Sequence, residues 1–264
     1  MDNLRRYGEA PYNVVVIHGG PGAAGEMAPV ARWLSSLSGV LEPLQTASTL
    51  EGQVEELHEI LLEQADLPVI LIGWSWGAWL AYICAARYPQ TVSKLVLVSS
   101  GPFTDAYAEG IMETRLERLG PADRAEAVTL LEVMEGPDAD DPDRVLARVA
   151  ELLSRADAYD PLPDEDEDET TEVRYDIYQG VWKEAMELRS SGLLLELAGR
   201  IECPVVAMHG DYDPHPAAGV LGTLSYVLPE FRFVLLENCG HCPWRERQAR
   251  DLFFSLLKEE VDQE

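Results

Sequence analysis

The sequence predicts an α/β protein in which a mostly parallel sheet is flanked by helices and carries a helical insertion. Short apolar runs alternate with amphipathic stretches near both ends of the chain, which is the pattern of buried parallel strands covered by helices. Between residues 103 and 200 no strand-like run occurs, whereas several stretches carry apolar side chains at helical spacing. We therefore expect a sheet domain built from residues 1–102 and 201–264, and a helical cap built from residues 103–200.

The predicted elements follow in order along the chain. Apolar runs predict strands at residues 13–17, 39–44, 68–73, 93–99, 203–208 and 232–236. Apolar side chains at helical spacing predict helices at residues 27–38, 49–65, 76–88, 111–119, 121–135, 142–157 and 172–198, with further helices after each of the last two strands. Thr49 is a suitable N-cap, because its side chain can accept a hydrogen bond from the first turn of its helix. The acidic run at residues 164–169 predicts a solvated loop.

The charge balance limits the partners that the protein can have. The chain has 20 basic and 47 acidic side chains, which give a formal net charge of -27. Such a surface repels nucleic acid and anionic membranes and disfavours polyanionic substrates, whereas neutral and cationic substrates remain open. The sequence has neither a run of 18 apolar residues nor the apolar core of a signal peptide. With four cysteines, we expect a cytoplasmic protein whose thiols are mostly free.

The motif Gly-Trp-Ser-Trp-Gly at residues 73–77 lies between an apolar strand and a helix. A serine on a strained strand-to-helix turn, flanked by glycines that leave room for it, is typical of a nucleophile elbow. The alternative is a plain tight turn with a capping serine. We expect Ser75 to be a catalytic nucleophile. Trp74 could line an apolar acyl pocket, with plain packing as an equal alternative.

A serine hydroxyl needs a base to remove its proton and a carboxylate to orient that base. Behind such an elbow the expected order is Ser, then Asp or Glu, then His, and three histidines follow Ser75 here. His241 comes after the last apolar strand, and Gly240 leaves its ring free to reach the sheet edge, so His241 is the predicted base. We interpret His209, at a strand end, as structural and His215, between two prolines, as an exposed loop residue.

The loop after the strand at residues 203–208 offers two candidates for the orienting carboxylate. Asp213 lies three residues after Gly210 and directly before a proline that fixes the loop, and it is the predicted acid. Asp211 is the competing candidate, although its position also suits a local turn hydrogen bond.

Together these residues resemble the α/β-hydrolase superfamily over nearly the whole chain. The turn His-Gly-Gly-Pro-Gly at residues 18–22, with Trp76 after the serine, is most similar to the proline iminopeptidase branch. The resemblance implies an α/β-hydrolase fold whose helical cap follows the family's sixth-type strand, here the strand ending near Ser99, and an oxyanion hole made by the backbone N–H groups of Gly20 and Trp76. A developing oxyanion does need preorganised donors of this kind. Because the turn comes so early in the chain, we expect a sheet shortened at the edge where the family has a pair of strands.

The resemblance also implies a substrate class, with alternatives. Proline iminopeptidases are expected to hold the amine of the substrate with cap glutamates, and Glu172, Glu184 and Glu187 are candidates that the sequence alone does not align. We therefore expect a serine hydrolase that acts through an acyl-enzyme on a small ester or amide, with no metal or organic cofactor. The alternative is an iminopeptidase-like aminopeptidase that acts on short peptides. A non-catalytic binding member of the fold is the alternative from another class.

Two further patterns predict other chemistry. Cys239-Gly240-His241-Cys242 is also a dithiol motif of disulfide isomerases, which would require Cys239 as a low-pKa thiolate at a helix N-terminus. Pro243 and Trp244, which follow directly, and the need for His241 in the triad argue against it. The residues His209, Asp211, Asp213 and His215 could form a metal cluster, but the triad acid explains their position after a strand better.

Overall fold

The computed structural model of the protein describes residues 3–136, 140–163 and 173–262. Its centre is a seven-stranded sheet with the strand order β1-β3-β2-β4-β5-β6-β7. The strands are β1 (Leu4–Tyr7), β2 (Tyr12–Ile17), β3 (Gly39–Pro43), β4 (Val69–Trp74), β5 (Val92–Val98), β6 (Val205–Gly210) and β7 (Phe231–Leu236). Among the described residues, β1 pairs antiparallel with β3 and the remaining pairings are parallel. The predicted mostly parallel sheet is confirmed.

Helices cover both faces of the sheet. They are α1 (Ala28–Leu34), α2 (Leu50–Gln64), α3 (Trp76–Arg87), α4 (Ile111–Arg118), α5 (Pro121–Glu135), α6 (Pro142–Asp157), α7 (Tyr175–Ser190), α8 (Leu193–Glu196), α9 (Ala218–Leu224) and α10 (Arg250–Asp262). Alternate side chains of β2 enter two separate cores, because successive strand residues point to opposite faces. Val15 and Ile17 pack with α2 and α3, whereas Val14 and Val16 pack with α1 and α10.

The described elements between β5 and β6 are helical, and we call residues 103–200 the helical segment. A small core of its own joins α4, α5 and α6 through Leu119, Ala127, Leu152 and Ala156. The N–H groups of the first turn of α2 have no partners within that helix. One of them, on Leu50, donates to Glu184 of α7 over 2.7 Å. The helical segment is thereby attached to a helix of the sheet domain.

The structure agrees with some of the predicted details and differs from others. Thr49 caps α2 as predicted, since its hydroxyl accepts from the N–H of Gly52 at 3.1 Å. The helix expected at residues 172–198 is instead broken into α7 and α8, because Gly192 takes a left-handed conformation with a φ of 80°. One short strand, β1, precedes β2 in the chain and pairs antiparallel with β3. The acidic run at residues 164–169 and Glu172 lie outside the described residues.

Within the described parts of the chain, no helix combines the length and the apolar character that a membrane span requires.

Candidate active site

Ser75 lies on the sharp turn that joins β4 to α3. Its backbone has a φ of 55° and a ψ of -116°, a conformation that non-glycine residues rarely adopt and that stores strain. A side chain at Gly77 would collide with the backbone oxygens of Ile17 and His18, so this position requires glycine. The Ser75 N–H donates to the carbonyl oxygen of Val98, over 3.0 Å, which fixes the turn at the end of the neighbouring strand.

A continuous hydrogen-bond relay connects three side chains that are far apart in the sequence. The Oγ atom of Ser75 lies 3.0 Å from Nε2 of His241. On the other side of the same ring, Nδ1 of His241 lies 2.7 Å from Oδ2 of Asp213. Asp213 is 6% exposed and His241 is 7% exposed, so the relay is shielded from solvent. The structure thus brings together the predicted nucleophile, base and acid in hydrogen-bonding order.

The charges around the relay favour an ionised acid and stabilise the protonated form of the base. Burial raises the pKa of Asp213, but the neighbouring His241, His215 and His209 outweigh it and hold this pKa well below its usual value. Burial also lowers the pKa of His241, but the attraction to Asp213 outweighs it and raises that pKa above 6.5. Asp213 therefore stabilises the imidazolium that forms when His241 takes up a proton.

Of the two predicted oxyanion donors, Trp76 directly follows Ser75 and Gly20 lies in the turn after β2. Trp76 is the first residue of α3, where backbone N–H groups have no partner within the helix and the helix dipole favours negative charge. Gly20 lies in the turn after β2 with a φ of 28°. The same turn is held by the helical segment, since the N–H of Arg174 donates to the carbonyl oxygen of Gly22 over 2.8 Å.

Glu246 anchors the loop that carries His241. It is 1% exposed, and its carboxylate accepts three backbone N–H groups. One of them belongs to the His241 loop, from Gly240 at 3.0 Å, and two belong to the chain after α6, from Tyr159 and Asp160, both at 2.8 Å. The N–H of His241 itself donates to the backbone oxygen of Asp157 over 2.9 Å. The position of the base thus depends on the helical segment.

Two arginines of α4 extend the same connection. Arg115 makes a two-pronged pair with the buried carboxylate of Asp157, with distances of 2.8 and 2.7 Å. Arg118 donates to the backbone oxygen of Tyr212 over 2.8 Å, and its guanidinium lies 3.7 Å from the centre of the Tyr212 ring. Since Tyr212 directly precedes Asp213, α4 contacts the loop of the acid as well as the chain beside the base.

The other histidines and the second aspartate of this region also have predicted roles. The prediction that His215 is an exposed loop residue is wrong, because only 12% of its side chain is exposed and its Nδ1 bonds to Asp213 over 2.8 Å. His209 is structural as predicted, with Nε2 bonded to the backbone oxygen of His215 over 2.8 Å. Asp211 accepts from the N–H of Cys239 at 3.1 Å and stands apart from the relay.

Trp74 lies beneath the base. It is 6% exposed, and its Nε1 donates to the backbone oxygen of His241 over 2.8 Å. Its ring packs edge-on against Trp244, with 5.0 Å between the centroids. Trp76 packs in the other core, on the opposite face of the sheet. The position of Trp74 is thus one of support for the His241 loop.

The alternative chemistries find little support in the site. Burial raises the pKa values of the Cys239 and Cys242 thiols, which is the reverse of what a redox-active thiolate requires. Asp213, His215 and His241 each offer a possible metal-ligating atom, and these atoms lie within 4.8 Å of one another. Such a set could hold a divalent cation, but hydrogen bonds between these side chains occupy the same atoms.

Comparisons with known proteins find a family model and curated proteins that match this chain. The model of the Alpha/beta hydrolase family matches residues 14–253. A pimeloyl-[acyl-carrier protein] methyl ester esterase of Chromobacterium violaceum is 27% identical over 256 residues, which cover 90% of this chain and 89% of that protein. A protein of the same name from Nitrosospira multiformis is 26% identical over 211 residues, which cover 73% of this chain and 69% of that protein.

Solved structures share the fold. The crystal structure of VinJ superposes with a TM-score of 0.67 at 17% identity, covering 98% of this chain and 94% of that one. Proline iminopeptidase of Mycobacterium smegmatis superposes with a TM-score of 0.61 at 15% identity, with the same two coverages. At these identities the likeness shows the fold alone, and it confirms the predicted α/β-hydrolase fold.

Proposed function

The chain belongs to the alpha/beta hydrolase family, and within it we propose that the protein is a serine hydrolase that cleaves small carboxylic esters. The observation that carries the proposal is the relay from Asp213 through His241 to Ser75, placed on a strained strand-to-helix turn. A serine on such a turn, bonded to a histidine that is itself oriented by a carboxylate, is the arrangement that activates a hydroxyl for acyl transfer.

The proposed reaction has two halves. Ser75 Oγ attacks the ester carbonyl carbon while its proton passes to Nε2 of His241, and Asp213 stabilises the imidazolium that forms. The backbone N–H groups of Gly20 and Trp76 receive the oxyanion. The bond to the alcohol breaks, the alcohol takes the proton from His241, and an acyl-serine remains. His241 then takes a proton from water as the water oxygen attacks the acyl carbon; the bond between that carbon and Ser75 Oγ breaks, the acid leaves, and His241 returns the proton to Ser75.

A row of aromatic side chains connects the helix that follows the nucleophile with the helical segment. Trp76 packs edge-on against Trp79, with 6.5 Å between the centroids. Trp79 stacks on Trp182 of α7 at 6.1 Å, and Trp182 stacks on Tyr178 at 6.3 Å. This row of rings runs from the residue after Ser75 into the helical segment. Specificity within this fold depends on such contacts rather than on the fold itself.

An ester is favoured over a peptide by two observations. The curated relatives named above are esterases, whereas the iminopeptidase likeness shows the fold alone. Of the glutamates that could bind a substrate amine, Glu184 already accepts from the N–H of Leu50, and Glu187 is exposed. Glu172 lies outside the described residues. The net charge of -27 additionally disfavours a polyanionic substrate or partner.

The test combines covalent labelling with turnover. A fluorophosphonate probe should label the wild type and fail to label Ser75→Ala, while Ser190→Ala, which changes an exposed serine of α7, labels normally. The labelled protein is then assayed on short-chain nitrophenyl esters, on a pimeloyl-carrier methyl ester and on N-terminal proline anilides. Absence of labelling in the wild type refutes the serine mechanism and favours a binding protein. Labelling with turnover of the anilide alone refutes the ester proposal and favours an aminopeptidase.

A further inference from the structure

The carboxylate of Asp213 serves two histidines rather than one. Oδ2 is bonded to Nδ1 of His241 at 2.7 Å, and Oδ1 is bonded to Nδ1 of His215 at 2.8 Å. The rings of His215 and His241 lie side by side, with 4.6 Å between their centroids and 32° between their planes. A serine triad requires the bond to His241 only. The bond to His215 is therefore an addition to the relay.

The local sequence explains how His215 reaches the carboxylate. Oδ1 of Asp213 also accepts the backbone N–H of His215 at 2.9 Å, which closes a turn two residues long. The intervening Pro214 restricts the backbone of that turn. The carbonyl oxygen of His215 is held in turn by Nε2 of His209 at 2.8 Å. These bonds fix the His215 ring at Oδ1, the oxygen that His241 does not use.

We propose that His215 is a positioning residue of the catalytic relay, which holds Asp213 so that Oδ2 faces His241 and which withdraws part of the carboxylate's charge. This inference rests on the proposed function. A carboxylate with two donors on Oδ1 has less freedom to rotate about its last side-chain bond. The Asp213 carboxylate also attracts the His241 imidazolium less strongly, because hydrogen bonds to Oδ1 draw negative charge away from Oδ2. His215 thus lowers the basicity of His241.

The protonation state of His215 agrees with this role. Burial lowers the pKa of His215 to about 4, against the opposing attraction of Asp213. The ring is therefore neutral near pH 7, and a neutral ring that donates from Nδ1 presents a bare Nε2. The charged and titratable groups that act on His215 and His241 include Asp213, Asp157, Arg115, Glu26 and the two histidines themselves. Variants that change only His215 leave the other groups intact.

Two substitutions separate the hydrogen bond from the shape of the ring. His215→Asn places an amide N–H near the position of Nδ1 but removes the ring, whereas His215→Phe keeps the ring and removes the donor. We expect His215→Phe to lower kcat/KM by about tenfold and to raise the kinetic pKa of its acidic limb by roughly half a unit. His215→Asn should stay within about threefold of the wild type, with an acidic limb close to that of the wild type. His58→Phe, in α2 far along the chain, is the control for a histidine-to-phenylalanine change.

The outcomes are distinguishable. Loss of activity in His215→Asn with retention in His215→Phe overturns the proposal, because packing of the ring would then be sufficient. Equal pH profiles in all variants overturn it as well. Nitrogen-15 NMR of histidine in the wild type gives a reading that needs no variant: Nδ1 of His215 should carry the proton, and a proton on Nε2 instead refutes the inference. A wild type that neither labels nor turns over esters refutes the proposed function itself.

Discussion

Replacing Glu246 by Gln tests how far the His241 loop depends on the helical segment. The substitution keeps the size of the side chain and removes one carboxylate oxygen. In the wild type, Oε1 accepts from Tyr159 and Gly240, and Oε2 accepts from Asp160. The amide oxygen of Gln can retain the first two bonds, but its NH₂ group then faces the N–H of Asp160. One charge-assisted bond is lost, and the part-buried N–H of Asp160 is left without this partner.

The magnitude follows from these contacts. A hydrogen bond to a charged group contributes about 1.5–3 kcal/mol, and an unsatisfied buried donor costs a similar amount. We expect Glu246→Gln to lower the free energy of unfolding by about 3 kcal/mol and kcat/KM by roughly tenfold, because the loop that holds His241 loosens. Glu246→Ala leaves three backbone donors without their partner, one of them in the buried His241 loop. It should cost about 5 kcal/mol or more, which is comparable to the whole stability of many domains.

Urea unfolding and turnover of a nitrophenyl ester measure the two effects on the same preparations. Glu237→Gln is the control, since it makes the same chemical change on an exposed side chain near the same loop. The control should stay within about 0.5 kcal/mol of the wild type. If Glu246→Gln changes the free energy of unfolding and kcat/KM no more than the control does, the three hydrogen bonds do not hold His241 in place.

Three other perturbations have defined outcomes. Since Asp213 raises the pKa of His241, kcat/KM should fall with decreasing pH along a limb centred above 6.5, measured by initial rates. Burial raises the pKa of Glu26 to about 7, so the wild type loses stability as pH rises from about 5 to 8. Glu26→Gln should then gain about 2 kcal/mol at pH 8 and nothing at pH 5, measured by urea unfolding. Arg118→Leu should lower kcat/KM about fivefold, whereas the exposed Arg124→Leu should not.

Each of these expectations can fail in its own way. An acidic limb centred below 6.5 would show that the attraction to Asp213 does not dominate the burial of His241. An equal gain of Glu26→Gln at both pH values would show that its carboxyl titrates normally in the folded state. Equal rates for the two arginine variants would show that the contact with Tyr212 does not position the acid.

The sheet could be predicted because its signals are local. The parallel strands read as apolar runs, since both of their faces are covered. β1 has no such signal: Leu4–Tyr7 is a short edge strand with two arginines, and its pairing with β3 is a long-range contact. The break between α7 and α8 depends on one left-handed glycine, and an isolated glycine within a helical pattern does not by itself show whether the helix ends.

In the candidate site, too, residues with a local sequence signal could be predicted and residues defined by long-range contacts could not. Ser75, Asp213 and His241 could be proposed from the sequence because each follows a recognisable strand in the expected order. His215 and Glu246 could not, because their importance lies in which backbone and side-chain groups surround them after folding. An acidic residue in an irregular stretch is normally exposed. Only the three N–H donors from two separate chain segments show why Glu246 is buried.

The helical segment contacts the site at three of its loops. Arg174 holds the turn of Gly20 through the carbonyl of Gly22, Arg118 holds the residue before Asp213, and Asp157 accepts from the N–H of His241. A segment that only covered the substrate could move away without disturbing the relay. Here an outward motion of the whole segment would break hydrogen bonds beside the oxyanion turn, the acid and the base together. Changes that alter substrate preference through α4 or α6 should therefore also alter kcat, because the same helices fix the positions of the reacting groups.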